Sequence, residues 1–149
     1  MEDLIIALKS EVLGEAFFRS AYYATFLSDR RKKTKTLWQL EIQTKKRIIK
    51  YFRVNNIAIP RLRWTAIKGS ILGILSTFVP WQLVLQEILE ETEYYLEVFL
   101  RLEEQAPEQD KELFKYIVAH EVAIARFAEM ELIDSGNRSL EAIEALLTN

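Results

Sequence analysis

Apolar residues recur at every third or fourth position along most of the chain, which is the spacing of one face of an α-helix. The first periodic stretch runs from about Asp3 to Ser28, and the basic segment SDRRKKTK after it is predicted to form a turn. A second stretch ends at about Asn55. No stretch alternates apolar and polar residues as a strand does, so the sequence predicts an all-α protein.

Proline and glycine mark the boundaries of the later helices. Pro80 lies near the start of a third long helix, which is predicted to reach about Glu104. Pro107 and the acids that follow it are typical of the first turn of a fourth helix. Gly136 is predicted to follow the end of that helix, and Ser139 to cap a short C-terminal helix in SLEAIEALL.

The segment 61–79 between the second and third helices is strongly apolar and contains Gly69 and Gly73. The run AIKGSILGILSTFVPW is too short and too interrupted to span a bilayer, which takes about 20 apolar residues. We expect residues 64–78 to form a helical crossover. Packing of its apolar face against the other helices is the first expectation, contact with a second copy of the chain the second, and contact with a membrane surface the third.

Each long helix carries a carboxylate on or beside its predicted buried face. The carboxylates and the single histidine that share these faces are Glu15, Glu41, Glu91, His120 and Glu121. Glu11 is interpreted as a rim residue whose side chain extends to water. For His120 two interpretations stay open, a neutral core histidine with a hydrogen-bond partner or a metal ligand.

The heights of these residues favour a shared site. In an antiparallel helical hairpin, two residues equally far from the turn lie at the same height. The midpoint of Glu15 and Glu41 is Ser28, and the midpoint of Glu91 and Glu121 is residue 106. We therefore predict that the four carboxylates converge. Buried ionised carboxylates are costly unless they are paired, hydrogen-bonded or bound to metal, so such a cluster requires a cation or protons.

This arrangement resembles the ferritin-like di-iron and di-manganese proteins, in which two helices give one Glu each and two give Glu-x-x-His. Glu15 and Glu91 match the helices with a single Glu, and Glu41 and Glu121 match the Glu-x-x-His helices. The histidine positions of both motifs are changed, to Thr44 and Ile124.

The resemblance implies a four-helix bundle with a long crossover between its second and third helices and a buried two-metal site for iron or manganese. His120 would then serve as a substitute ligand. A site with four carboxylates and at most one imidazole favours hard cations such as Mn²⁺ or Mg²⁺. The same resemblance leaves open that no metal is bound.

Composition narrows the function classes. The chain has 149 residues, which fits one domain over residues 1–149. It has no cysteine, which excludes thiolate zinc sites, iron–sulfur clusters and a cysteine nucleophile. The N-terminus is acidic where a signal peptide would be basic, so we expect a cytoplasmic protein.

Charge is unevenly distributed along the chain. Residues 29–68 carry a net charge of +11, whereas residues 1–28 carry −2 and residues 69–149 carry −11. The favoured interpretation is that the basic second helix lies against the acidic third and fourth helices or faces solvent. An anionic partner is the alternative. Nucleic acid is not favoured, because no aromatic stacking platform accompanies the basic residues.

Two functions follow from the sequence. The first is a ferritin-like metalloprotein, an oxidoreductase acting on a small or apolar substrate. The second is a metal-free helical bundle that serves in binding or assembly, with its buried carboxylates protonated or paired. In both cases we expect a homo-oligomer, with the crossover as the candidate contact.

Overall fold

The structure is a computed structural model that describes residues 1–133 and 136–148. These residues form helices and their connections, without a strand in either described range. The six α-helices are α1 (Glu2–Ala24), α2 (Ser28–Val54), α3 (Arg63–Ser76), α4 (Trp81–Gln105), α5 (Lys111–Leu132) and α6 (Glu141–Leu147). Short 3-10 helices at Glu108–Asp110 and Gly136–Leu140 precede α5 and α6. The predicted all-α class is confirmed.

The first two helices form an antiparallel pair. Tyr22, near the end of α1, lies beside Trp38 in the first half of α2, with 5.8 Å between the ring centroids. Glu15, earlier in α1, forms an ion pair with Lys45, later in α2. As residue numbers fall along α1, the numbers of their partners rise along α2, so the two helices run in opposite directions.

Helices α2 and α5 are also antiparallel. Lys33 at the start of α2 forms an ion pair of 2.9 Å with Glu131 at the end of α5. Tyr51 at the other end of α2 packs on Phe114 near the start of α5, with ring centroids 5.5 Å apart. Because α4 packs against both α1 and α5, the four long helices enclose a common interior in the order α1, α2, α5, α4.

Helix α3 lies along α1 and is held there by its two glycines. A Cβ on Gly69 would lie 2.5 Å from the carbonyl oxygen of Leu13, and a Cβ on Gly73 would lie 2.2 Å from that of Phe17. Both distances are shorter than side-chain atoms tolerate, so the absence of a side chain allows the two backbones to meet. Residue numbers rise together along the two helices, from the pair Gly69 and Leu13 to the pair Gly73 and Phe17, so α3 runs parallel to α1.

Several large apolar side chains of α3 and of the residues just after it are exposed. Trp64 and Phe78, at the two ends of the segment, are each 82% exposed, and Ile67, Ile71 and Ile74 between them are also exposed. The prediction that residues 64–78 are helical is confirmed for residues 64–76, which lie in α3. The first expectation for its apolar face is wrong for these five side chains, because the small residues of α3 pack inward instead. None of the described helices combines the length and the apolar character needed to cross a membrane.

The basic segment SDRRKKTK is helical, contrary to the predicted turn. Ser28 is the first residue of α2, so the connection from α1 is only three residues long. Two of the basic side chains have structural partners in place of solvent. Arg30 is buried and donates to the carbonyl oxygens of Ser76, the last residue of α3, and of Val79 beyond it, while Lys33 lies between the carboxylates of Asp29 and Glu131.

The C-terminal end differs from its prediction in one detail. Ser139 does not cap the last helix, because its hydroxyl donates to Glu131 Oε1 at 2.6 Å. The predicted short helix is present as α6, and Ile143 anchors it in the core.

Two apolar cores fill the interior, one toward each end of the four long helices. The first contains, among others, Phe18, Leu40, Leu85, Phe127 and Ile143. The second contains, among others, Leu8, Ile48, Phe52, Phe99 and Ile117. Along every long helix the residues of the two cores are separated by a short interval, and the polar residues that fill this interval form the candidate site.

Candidate metal centre

A buried polar layer lies between the two apolar cores, with a contribution from each of the four long helices. Every member is at most 4% exposed. The layer consists of Glu11 from α1, Glu41 and Thr44 from α2, Thr92 from α4, and His120 and Glu121 from α5. We call these six residues the polar layer.

The ligating atoms of the polar layer converge on His120. Its Nε2 lies 3.7 Å from Glu11 Oε1, 3.9 Å from Glu41 Oε1 and 4.0 Å from Glu121 Oε2. Glu11, Glu41 and His120 each offer one ligand atom, and these atoms all lie within 4.8 Å of one another. Donor atoms around one ion with bonds of about 2.1 Å are about 3 to 4 Å apart, so small side-chain movements would form a coordination shell.

The carboxyl groups of the polar layer are strongly perturbed. Burial raises the pKa of Glu11 well above its usual value, and the nearby charges of Glu41 and Glu121 raise it further. Burial likewise raises the pKa of Glu41, to about 8. The pKa of Glu121 is raised by burial and then by the charges of Glu41 and Glu91. Without a cation, the cluster therefore holds protons near neutral pH.

His120 is neutral and has one fixed partner. Burial lowers its pKa to about 3, so the imidazole carries no charge at physiological pH. Its Nδ1 lies 2.7 Å from Thr44 Oγ1. When Nδ1–H donates to Thr44, the lone pair of Nε2 faces the carboxylates and is available to a cation, and the other tautomer presents an N–H there instead.

Gly14 makes room for the central carboxylate. A Cβ at this position would lie 2.6 Å from the carboxyl carbon of Glu41. The atoms nearest to that Cβ would belong to a carboxylate side chain, whereas those nearest to a Cβ on Gly69 or Gly73 belong to the backbone of α1. Glycine at position 14 therefore leaves room for the Glu41 carboxylate beside α1.

Two members of the predicted site lie outside the polar layer. Glu15 is partly exposed and forms an ion pair with Lys45, so its charge is compensated without a metal. Glu91 is exposed on α4, where Thr92 takes the inward position. Both influence the layer through space: Glu15 raises the pKa of Glu41, and Glu91 raises that of Glu121. The structure thus brings together Glu41, His120 and Glu121 of the predicted set.

Glu11 is the residue that sequence reasoning missed. Its interpretation as a rim residue is wrong, because its side chain is 1% exposed. The error came from the turn: with α2 starting at Ser28, the hairpin is centred on Phe26, which is the midpoint of residues 11 and 41. With the short turn that the structure has, Glu11 is the residue of α1 that lies at the height of Glu41.

An apolar groove leads from the surface to the polar layer. It has a volume of about 940 Å³ and runs between α3 and α4, with α1 as its base. Its inner end is formed by Glu11, Glu41, His120 and Glu121. The buried cluster is therefore the floor of a ligand-sized cavity.

Comparisons of the chain with protein-family models, with curated proteins and with solved structures give no match.

Proposed function

We propose that the protein binds divalent metal at Glu11, Glu41, His120 and Glu121, in a ferritin-like four-helix bundle with α3 as its crossover. The observation that carries the proposal is the convergence of three ligating atoms within 4.8 Å in a layer enclosed by two apolar cores. The buried Glu11 Oε2 supports it, because this atom has no hydrogen-bond partner among the described residues. A buried oxygen without a partner is costly unless a ligand or a proton satisfies it.

The donor set fits a hard or borderline cation. Carboxylate oxygens with one imidazole suit manganese, iron or magnesium. Thr44 occupies the histidine position of the first Glu-x-x-His motif and contacts His120 through its hydroxyl group. The imidazole of this site is then supplied by α5, while Ile124 belongs to the apolar core.

We infer an oxidoreductase that acts on a small or apolar substrate. Bound iron or manganese would supply the redox chemistry toward oxygen or peroxide. The chain itself provides carboxyl groups that can hold or release protons, a neutral His120, and a groove that admits a ligand to the same place. Two apolar cores exclude bulk water from the layer on either side.

A metal-free binding or assembly protein is the second candidate. The raised pKa values of Glu11, Glu41 and Glu121 favour it, because protonated carboxyl groups can occupy a buried layer without any cation. The two candidates differ in one measurable respect: only the first requires that the folded protein bind metal.

Thermal unfolding with and without metal tests the proposal. Mn²⁺ or Fe²⁺ should raise the melting temperature, since a ligand that binds only the folded state at about 100 times its Kd stabilises it by about 2.7 kcal/mol. Glu41→Gln should abolish this gain. Glu93→Gln, at an exposed position on α4, is the matched control and should retain it. If no metal shifts the melting temperature of the folded wild-type protein, the metal-free candidate replaces the metalloprotein.

We also propose that two copies of the chain pair through α3. Five of the exposed large apolar residues in α3 and just after it follow one another in steps of three and four, which is the spacing of a coiled-coil seam. These five residues are Trp64, Ile67, Ile71, Ile74 and Phe78. A continuous exposed apolar stripe of this length favours burial against a similar helix.

A further inference from the structure

The groove between α3 and α4 has apolar walls along its length. Phe17 of α1, Leu72 and Leu75 of α3, and Leu83 and Ile88 of α4 all line it. Leu72, Leu75 and Leu83 are exposed in this chain on its own, so water contacts these side chains when the groove is empty. Displacing this water by hydrocarbon is favourable by roughly 25 cal/mol for each Å² that is buried.

The lining of the groove has more acidic than basic residues. Its basic residues are Lys9 and Lys68, and its exposed acidic residues are Glu87, Glu90 and Glu91. The carboxyl groups of Glu11, Glu41 and Glu121 form its inner end. An anion such as a fatty acid would have to bury its charge beside these carboxyl groups, and no residue of the polar layer carries a positive charge to offset that cost.

The floor of the groove is suited to a hydroxyl group. Glu11 Oε2 is buried there and has no hydrogen-bond partner among the described residues. A hydroxyl group can both donate and accept a hydrogen bond, so it can pair with a carboxyl oxygen in either protonation state of the acid. A hydroxyl group at this depth would therefore satisfy this oxygen in the absence of a metal.

We propose that the groove binds an uncharged molecule with a long apolar body and one hydroxyl group, with the hydroxyl group at the polar layer and the body between α3 and α4. If the proposed function holds, the polar layer is the reacting centre, and this inference names its substrate class, a neutral hydrocarbon-rich alcohol. The binding site itself requires no metal.

Binding of prodan, an uncharged fluorescent molecule with an apolar body, to the full chain tests whether the groove takes up such a ligand. Leu72→Trp narrows the groove and should weaken binding by about tenfold or more. Leu100→Trp is the matched control: the side chain is 48% exposed against 40% for Leu72, but it lies outside the groove lining. This variant should bind prodan like the wild type. Equal affinities of the two variants would overturn the inference, because the probe would then be on the general surface.

Competition with molecules of equal chain length tests the charge argument. Dodecanol should displace prodan at a concentration about tenfold lower than dodecanoate, since the anion would have to bury its charge beside carboxyl groups. Displacement by dodecanoate as readily as by the alcohol, or stronger displacement by dodecylammonium than by the alcohol, would overturn the assignment of an uncharged ligand.

Metal titration of the same proteins separates this inference from the proposed function. Leu72→Trp should leave Mn²⁺ binding unchanged, and Glu41→Gln should abolish it. Prodan binding that responds to Leu72→Trp in a protein without metal affinity would refute the metalloprotein and support the groove. Metal binding in a protein whose prodan binding does not respond to Leu72→Trp would support the metalloprotein and refute the groove as a ligand site.

Discussion

Raising the pH should destabilise the metal-free protein, and Glu41 allows the size of the effect to be worked out. Burial raises the pKa of Glu41 from 4.5 to about 8 in the folded state. Between these two values the unfolded chain has lost this proton while the folded chain retains it. The free energy of unfolding therefore falls as pH rises through this window, and the fall ends once the folded group has also ionised.

The magnitude follows from the width of the window. Each pKa unit corresponds to about 1.4 kcal/mol, so the shift of Glu41 amounts to an upper limit of about 5 kcal/mol. Glu11 and Glu121 act in the same direction, because their pKa values are also raised. His120 acts oppositely, but only below its unfolded value of 6.5, because its pKa is lowered to about 3. Between pH 6.5 and 8, His120 therefore does not offset the loss of unfolding free energy that the three carboxyl groups cause.

Urea unfolding at pH 6.5 and 8.5, with chelator present, measures this effect. The wild-type protein should lose a few kcal/mol of its unfolding free energy, a loss of the order that pKa shifts of buried groups produce. Glu41→Gln should lose clearly less, because one of the titrating groups is gone and the pKa of Glu11 falls with it. Glu93→Gln should behave like the wild type. A wild-type protein that is equally stable at both pH values would show that the three carboxyl groups are not buried together.

Two further predictions follow from the glycine contact and from the exposed helix. Gly14→Ala should weaken Mn²⁺ binding by about tenfold or more in a protein that still folds, measured by calorimetric titration, because the added Cβ displaces the Glu41 carboxylate. Unchanged affinity would exclude Glu41 as a ligand. Ile71→Glu should convert a dimer to a monomer in light scattering without loss of helicity, since it places a charge in the middle of the α3 seam. A wild-type protein that is monomeric at all concentrations would refute the pairing of α3.

Periodicity predicted most of the helices because each carries its own signal. Residues such as Leu8, Ile48 and Phe127 repeat at helical spacing, and the structure buries all three. The turn between α1 and α2 was predicted wrongly because its basic residues appeared too polar to be helical. In the structure Arg30 and Lys33 have partners on α3 and α5, which are distant in sequence. Local sequence carries no information about such partners.

The site was harder to predict, for two separate reasons. An error in the turn shifts every height in the hairpin, which selected Glu15 in place of Glu11. An error in the rotation of a helix about its axis leaves the height of a residue correct but places its side chain on the wrong face. This is the case for Glu91, which is exposed while its neighbour Thr92 is buried. Glu41, His120 and Glu121 lie on the buried faces predicted for them, because apolar neighbours on both sides fix those helix faces.

The polar layer is difficult to explain as a device for stability. Replacing buried ionisable groups by apolar residues of similar size is often neutral or stabilising. Six polar residues nevertheless interrupt the apolar interior at the same height, and Glu11 keeps an unpartnered oxygen there. The groove opens onto this height and Gly14 leaves space for Glu41 at the same place. Departures from good packing that coincide at one point are expected where a protein binds or transforms a ligand. Ligand chemistry, with metal as its proposed first component, accounts for all of them together.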